Sequence, residues 1–184
     1  MSVVPILIDP NEYLHKVCHE ITKFDEATEI LVQNLLDTVR AAKDPEGVGL
    51  AAPQVGVLKR VCIARDFIDS KGVNGDIILD DKVLINPVVV KTSDEKEVDW
   101  EGCLSIPDTY ALVKRSNKIK VEAYDVSGKK FQLKASGFFA KVIQHEIDHL
   151  DGKLITDPDR IIGRPLSQKE FDKMLEQQDE QHKN

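Results

Sequence analysis

The residues best equipped for chemistry are His145-Glu146-Ile147-Asp148-His149. On a helix, residues four apart share a face, so both imidazoles can reach one cation. Glu146 follows His145 directly and can stand beside an attacking water as a base without ligating the ion. Two histidines leave a catalytic site one protein ligand short, because three are needed with the fourth position open. One known spacing would place a third histidine at position 155; Gly152 fits that pattern, but the position holds Ile155. A glutamate on a later helix is a second option. Glu170 is at a tolerable distance, although Ser167 and Glu170 already read as a capping box. The remaining candidate is Cys103, within Trp100-Glu101-Gly102-Cys103-Leu104-Ser105-Ile106-Pro107. Its thiolate would complete a Cys-His-His set. The other two cysteines read as bystanders: Cys62 sits in an apolar strand, and Cys18 lies between His15 and His19 in a polar stretch.

These residues need elements to hold them. A first helix is predicted from Asp25 to Ala42, with Val32, Leu35, Leu36 and Val39 on one face and Asp25 as its cap. The small-residue run Gly47-Val48-Gly49-Leu50-Ala51-Ala52-Pro53-Gln54-Val55-Gly56 follows and allows close backbone approach. From Lys59 to Leu133 the pattern is short β segments, with strands over 60–64, 83–85 and 87–90. A hairpin joins 118–124 to the alternation at Phe131 and Leu133. Ile68 to Asp81 reads as an exposed loop or insertion. A second helix spans Gly137 to Leu150, capped by Ser136 and stopped at Gly152. A third begins at Ser167, with Leu166 and Phe171 as a hydrophobic staple. Helix, many antiparallel strands, then helices is an α+β order.

The chain has 184 residues, 41% of them hydrophobic and 31% charged, which is the balance of one globular domain spanning 1–184. Lys and Arg number 25 against 32 Asp and Glu, a net charge of −7. That argues against a general nucleic-acid or anionic-membrane binder, while leaving room for one local basic contact. Three cysteines suggest a reducing, cytoplasmic setting rather than a disulfide framework. The N-terminus does not read as a secretory signal, and no apolar stretch approaches the roughly 20 residues needed to span a bilayer.

Three segments, in this order, resemble the signature motifs of the peptide deformylase family: 47–54, Glu101-Gly102-Cys103-Leu104-Ser105, and Gln144-His145-Glu146-Ile147-Asp148-His149. The resemblance runs from Ile8-Asp9-Pro10 to the C-terminal helix, and Ile106-Pro107 with that helix looks like the type 1 branch. It implies antiparallel sheets packed around a central metal-binding helix, with helices at both ends of the chain. It implies a metal-dependent hydrolase that removes the formyl group from formyl-methionyl nascent polypeptides and releases formate. The metal ligands would be Cys103, His145 and His149, holding one divalent ion, with Fe2+ expected and Zn2+ or Ni2+ as substitutes. Glu146 would be the base, and Gln54 with the Leu104 backbone N–H would hold the oxyanion. Val48 and Val142 are candidates for the methionine pocket, Gly49 for pairing with the substrate backbone, and Glu101 for structural support. Tyr110 departs from the family, which often has arginine there; it could stack on the peptide or cover the loop, whereas Arg115 is retained. Partners would be the formyl-methionyl peptide and, at most, a transient ribosome contact. Residues 164–184 carry four basic and five acidic side chains, so that helix is not a basic element for docking on RNA, and neither direct nucleic-acid binding nor a membrane contact is expected of the chain. The competing reading is a zinc endopeptidase using His145, His149 and Glu170.

Overall fold

The computed structural model describes residues 2–43, 45–68 and 78–182. Helix α1, Glu26–Ala41, starts where Asp25 accepts a hydrogen bond from the Thr28 N–H at 3.2 Å, and it buries Leu31, Val32, Leu35 and Val39. Strands follow: β1 Gly49–Ala51, β2 Val61–Ile68, β3 Ile78–Thr92, β4 Lys96–Cys103, β5 Ile106–Ser116, β6 Lys118–Tyr124 and β7 Lys130–Ser136. Then come α2 Gly137–Leu150, β8 Leu166–Ser167 and α3 Gln168–His182. All pairings between these strands are antiparallel and form two sheets, ordered β1-β2-β3-β6-β7 and β4-β5-β8. This is the α+β arrangement expected from the order of elements.

Alternation builds the inner face of the larger sheet. Ile119, Val121 and Ala123 of β6 point inward and pack with Cys62, Ala64 and Leu84 against Phe139, Ala140, Ile143 and Leu150 of α2. Each fully buried aliphatic side chain contributes about 1.5–3 kcal/mol relative to exposure. A second cluster joins α1 to the other end of that sheet, through Leu35, Val39, Leu50, Ile63 and Ile85. Helix α2 therefore lies in the middle of the molecule, touching β1, β2, β5, β6 and β7.

Three local expectations are corrected. The runs 83–85 and 87–90 are one strand, β3, whose register shifts between Ile85 and Val88. At the shift Asn86 takes a positive φ of 49°, which its short polar side chain tolerates, and that side chain bonds both the N–H and C=O of Ile21 at 2.8 Å. The loop expected over 68–81 is strand at Ile68 and from Ile78 onward, and its remainder lies outside the described residues. Ser136 makes no side-chain cap on α2. Asn117 accepts from the Gly137 N–H through its backbone and side-chain oxygens, at 2.9 and 3.2 Å.

Candidate metal centre

Helix α2 supplies two of the converging groups. His145 and His149 sit one turn apart, with Nε2 atoms 3.2 Å from each other. The third comes from the end of β4, where Cys103 Sγ lies 3.3 Å from His149 Nε2. All three donor atoms fall within 4.8 Å of one another, the one such cluster among the described residues. Three lone-pair donors this close repel unless a proton or cation stands between them. Bond lengths of about 2.0–2.3 Å at tetrahedral angles would separate donors by about 3.3–3.6 Å, so the observed spacing suits one small ion. The donor set, one thiolate and two imidazoles, is that of a borderline-soft divalent metal.

The ligands are held from behind. Glu101 accepts from His145 Nδ1 at 2.9 Å, which fixes the ring and leaves Nε2 facing the cluster. Buried Arg115 grips both Glu101 oxygens, at 2.8 and 2.9 Å, and also bonds Asp148 on α2. Arg160 reaches the other Asp148 oxygen at 3.0 Å. Burial works to raise the Glu101 pKa, but the hydrogen bonds from Arg115 and His145 outweigh it and hold the carboxyl at about 2. Two carboxylates and two guanidiniums thus alternate, so the charges taken out of water are compensated.

Glu146 is in the opposite condition. It is 3% exposed, and its Oε2 is buried without a hydrogen-bond partner. Burial, partly opposed by the charge on His145, pushes its pKa up to about 7. A carboxyl poised near neutrality can both take and return a proton. Its position demands glycine opposite: a Cβ on Gly49 would stand 2.2 Å from Glu146 Oε1.

Gln54 closes the site from a 3-10 turn over Ala52–Val55. Its Oε1 accepts from the Ala51 N–H at 2.8 Å, which aims the amide Nε2 toward Ser105 Oγ at 3.1 Å and Cys103 Sγ at 3.8 Å. Leu104 lies in the tight turn between β4 and β5. A cleft of about 220 Å³ opens over these groups, and its walls include Val48, Gly49, Gln54, Leu104, Tyr110 and Val142. Val142 belongs also to the core, with 6% exposure. Tyr110 is pinned rather than free: its hydroxyl donates to Gln168 Oε1 at 2.9 Å, and its ring stacks on Phe171 at 4.0 Å.

Among the wall residues not anticipated from sequence are Trp100, Phe138 and Lys141. Phe138 is 47% exposed beside buried Phe139, and an exposed aromatic at a helix start was the available signal. Lys141 ties α2 to β4 through Glu97 and Asp99, both at 2.8 Å. Glu170 does not approach the histidines' cluster. It accepts from the Ser167 N–H and hydroxyl at 2.9 and 2.8 Å and from Arg164 at 2.7 Å. Cys103, not Glu170, lies with the two histidines, so the endopeptidase reading has no support. His15 and Cys18 join no metal cluster among the described residues; His15 bonds Asp9, and Cys18 is core.

Known proteins resemble the chain in sequence and fold. The family model described as polypeptide deformylase matches residues 3–162. Peptide deformylase 1 of Clostridium perfringens is 40% identical over 157 residues, covering 85% of this chain and 98% of that protein. The crystal structure of peptide deformylase from Thermotoga maritima superposes with a TM-score of 0.74 at 33% identity, covering 89% of this chain and all of that one. A class I type b peptide deformylase from Acinetobacter baumannii, solved with Met-Ala-Ser bound, gives 0.72 at 29% identity, covering 83% and 96%. On sequence and on fold alike, the chain belongs to the polypeptide deformylase family.

Proposed function

We propose that this chain removes the formyl group from the N-terminal formyl-methionine of new polypeptides, one water being consumed and formate and a free amine released. The observation that carries the reading is the convergence of Cys103, His145 and His149 at the floor of the cleft, beside Glu146, whose Oε2 is buried without a partner among the described residues. Residues 1–184 act as one catalytic domain, in the cytoplasm. No described helix is long and apolar enough to cross a membrane.

Cys103, His145 and His149 would hold one divalent ion, Fe2+ by family resemblance, which when bound supplies Lewis acidity and a nucleophilic water near neutral pH. Glu146 takes the proton of the attacking water and returns it to the departing amine. Its burial matches that double duty, because both forms are accessible near pH 7. The Gln54 amide and the Leu104 backbone N–H donate to the oxyanion that forms at the formyl carbon. Removing one such donor costs about 100–1,000-fold in rate. The methionine side chain packs against Val48, Phe138 and Val142. Strands β1 and β4 are the outermost strands of their sheets and both line the cleft, so the substrate backbone adds to a free edge there, beginning at Gly49.

The test is formate release from a formyl-methionyl tripeptide by anaerobically purified, Fe2+-loaded protein. The parent should release formate, and Glu146→Ala should release none while retaining metal. Metal-loaded parent that releases no formate would overturn the reading.

A further inference from the structure

Away from the cleft, the outer face of the larger sheet carries a row of like charges. Lys91 of β3 is in register with Lys120 of β6, which is in register with Lys134 of β7. Lys118 lies two residues along β6, on the same face. Adjacent strands are only about 4.8 Å apart, and like charges directly opposite each other destabilise a sheet. Among the described residues no carboxylate forms an ion pair with any of these four lysines. Glu122, the one acid on that face of β6, is taken by Lys130 at 2.6 Å and Gln132 at 2.8 Å. The four lysines surround a shallow depression of about 440 Å³, with Thr92 and Ser136 also in its wall and no acidic residue lining it. In a chain of net charge −7, such a concentration of lysines, offset on that face of β6 only by the charge of Glu122 on Lys120, is a local reversal of sign.

The flanking residues Ile119 and Val121 face the opposite way, into the core against α2. The row is therefore separate from the metal cluster, and fold stability does not account for it. We propose that the Lys91–Lys120–Lys134 row, with Lys118, is a docking surface for the phosphate backbone of structured RNA. Lysines and hydroxyls are donors that suit phosphate oxygens. No aromatic side chain lines the depression, so base stacking, the usual grip on single strands, is not available. The contact is one of charge, without sequence preference. The choice of RNA over another polyanion rests on the function proposed above, since a newly made polypeptide is met beside RNA.

The test uses metal-loaded protein and a fluorescent RNA hairpin, with binding read by anisotropy across a salt series. Four neutralised phosphates predict a logarithmic salt slope of about 3.6 for the dissociation constant on a duplex stem. Lys120→Glu should weaken RNA binding about tenfold and raise Tm, because it places an opposite charge between two lysines. Lys120→Arg should preserve binding. The triple variant Lys91→Glu/Lys120→Glu/Lys134→Glu should abolish it, while formate release from a free formylated tripeptide stays at the parent rate for every variant. Unchanged RNA affinity in the triple variant, binding insensitive to salt, or equal competition by phosphatidylserine vesicles or polyglutamate would overturn the proposal. Formate release is scored separately, so an inactive protein that binds RNA through the row would sink the catalytic reading and not this surface.

Discussion

Helix α2 and the β4–β5 hairpin meet at the candidate metal centre, two donors coming from the helix and one from the hairpin, and they do so by different physics. Helical periodicity alone places His145, Glu146 and His149 on one face, and buried Phe139, Ile143 and Leu150 orient that face against the sheets. The hairpin brings Cys103 to the same point from 42 residues upstream of His145, and nothing local fixes it there. Its place depends on pairing with β5, on the Glu101–Arg115–Asp148 network and on contacts with α3. A helix can carry a ligand pair as a self-contained unit, whereas a strand end carries a ligand only as precisely as its surroundings hold it.

The largest expected effect tests whether the centre depends on the hairpin. Cys103→Ala should leave two imidazoles, which do not suffice for a stable site, and the purified protein should hold no stoichiometric metal and release no formate. Glu170→Ala should change neither, because Glu170 is engaged with Ser167 and Arg164. Metal counted by mass spectrometry under native conditions decides it. Full occupancy in Cys103→Ala would mean that the helix alone defines the centre.

A smaller effect should follow from loosening the join between the two regions. Arg115 is 4% exposed and makes a two-pronged contact with Glu101, which lysine cannot reproduce. Arg115→Lys keeps the charge, but should let Glu101 and hence the His145 ring wander. Metal affinity should fall about 10–100-fold, measured by competition with a chelator. Unchanged affinity with a lowered Tm would reduce Arg115 to a structural tie.

The same contrast explains what could be read from the chain. The helices were legible because their caps and apolar spacings are local: Asp25, Gly152 and the Ser167–Glu170 pair all sit where expected. The β6–β7 hairpin was legible from simple alternation. Strands β4 and β5 were not drawn from pattern. Much of β4 is exposed and charged, and although burial alternates in β5 from Ala111 to Arg115, the buried positions include Arg115, with Ser116 buried after it, and the half-buried ones include Leu112, so hydropathy does not reveal the period of two. Those buried polar groups are satisfied only by partners distant in sequence, such as Gln144, which accepts from the Ser116 N–H and donates to its C=O. Cys103 itself was reachable by elimination and by family resemblance, but its support was not. The lysine row was invisible for a related reason, since register between β3, β6 and β7 does not appear in a net charge.

The smallest expected effect concerns the outer support of the hairpin. Phe171 of α3 stacks on Tyr110 at 4.0 Å with rings 10° from parallel, and meets Trp100 edge-on at 5.7 Å. Tyr110 and Trp100 both form walls of the cleft, and neither is one of the three candidate ligands. Phe171 is thus a positioning residue for the cleft wall. Aromatic pairs contribute about 0.5–1.5 kcal/mol beyond area burial, equivalent to about two- to tenfold in an equilibrium. Phe171→Ala should therefore raise KM for a formylated tripeptide by about that factor, with kcat and metal content near the parent values. Phe171→Tyr, which keeps the stacked ring, should restore KM. A fall in kcat with unchanged KM would place the influence of α3 on the ligands instead, and would make the hairpin a lever on the metal centre rather than a wall beside it.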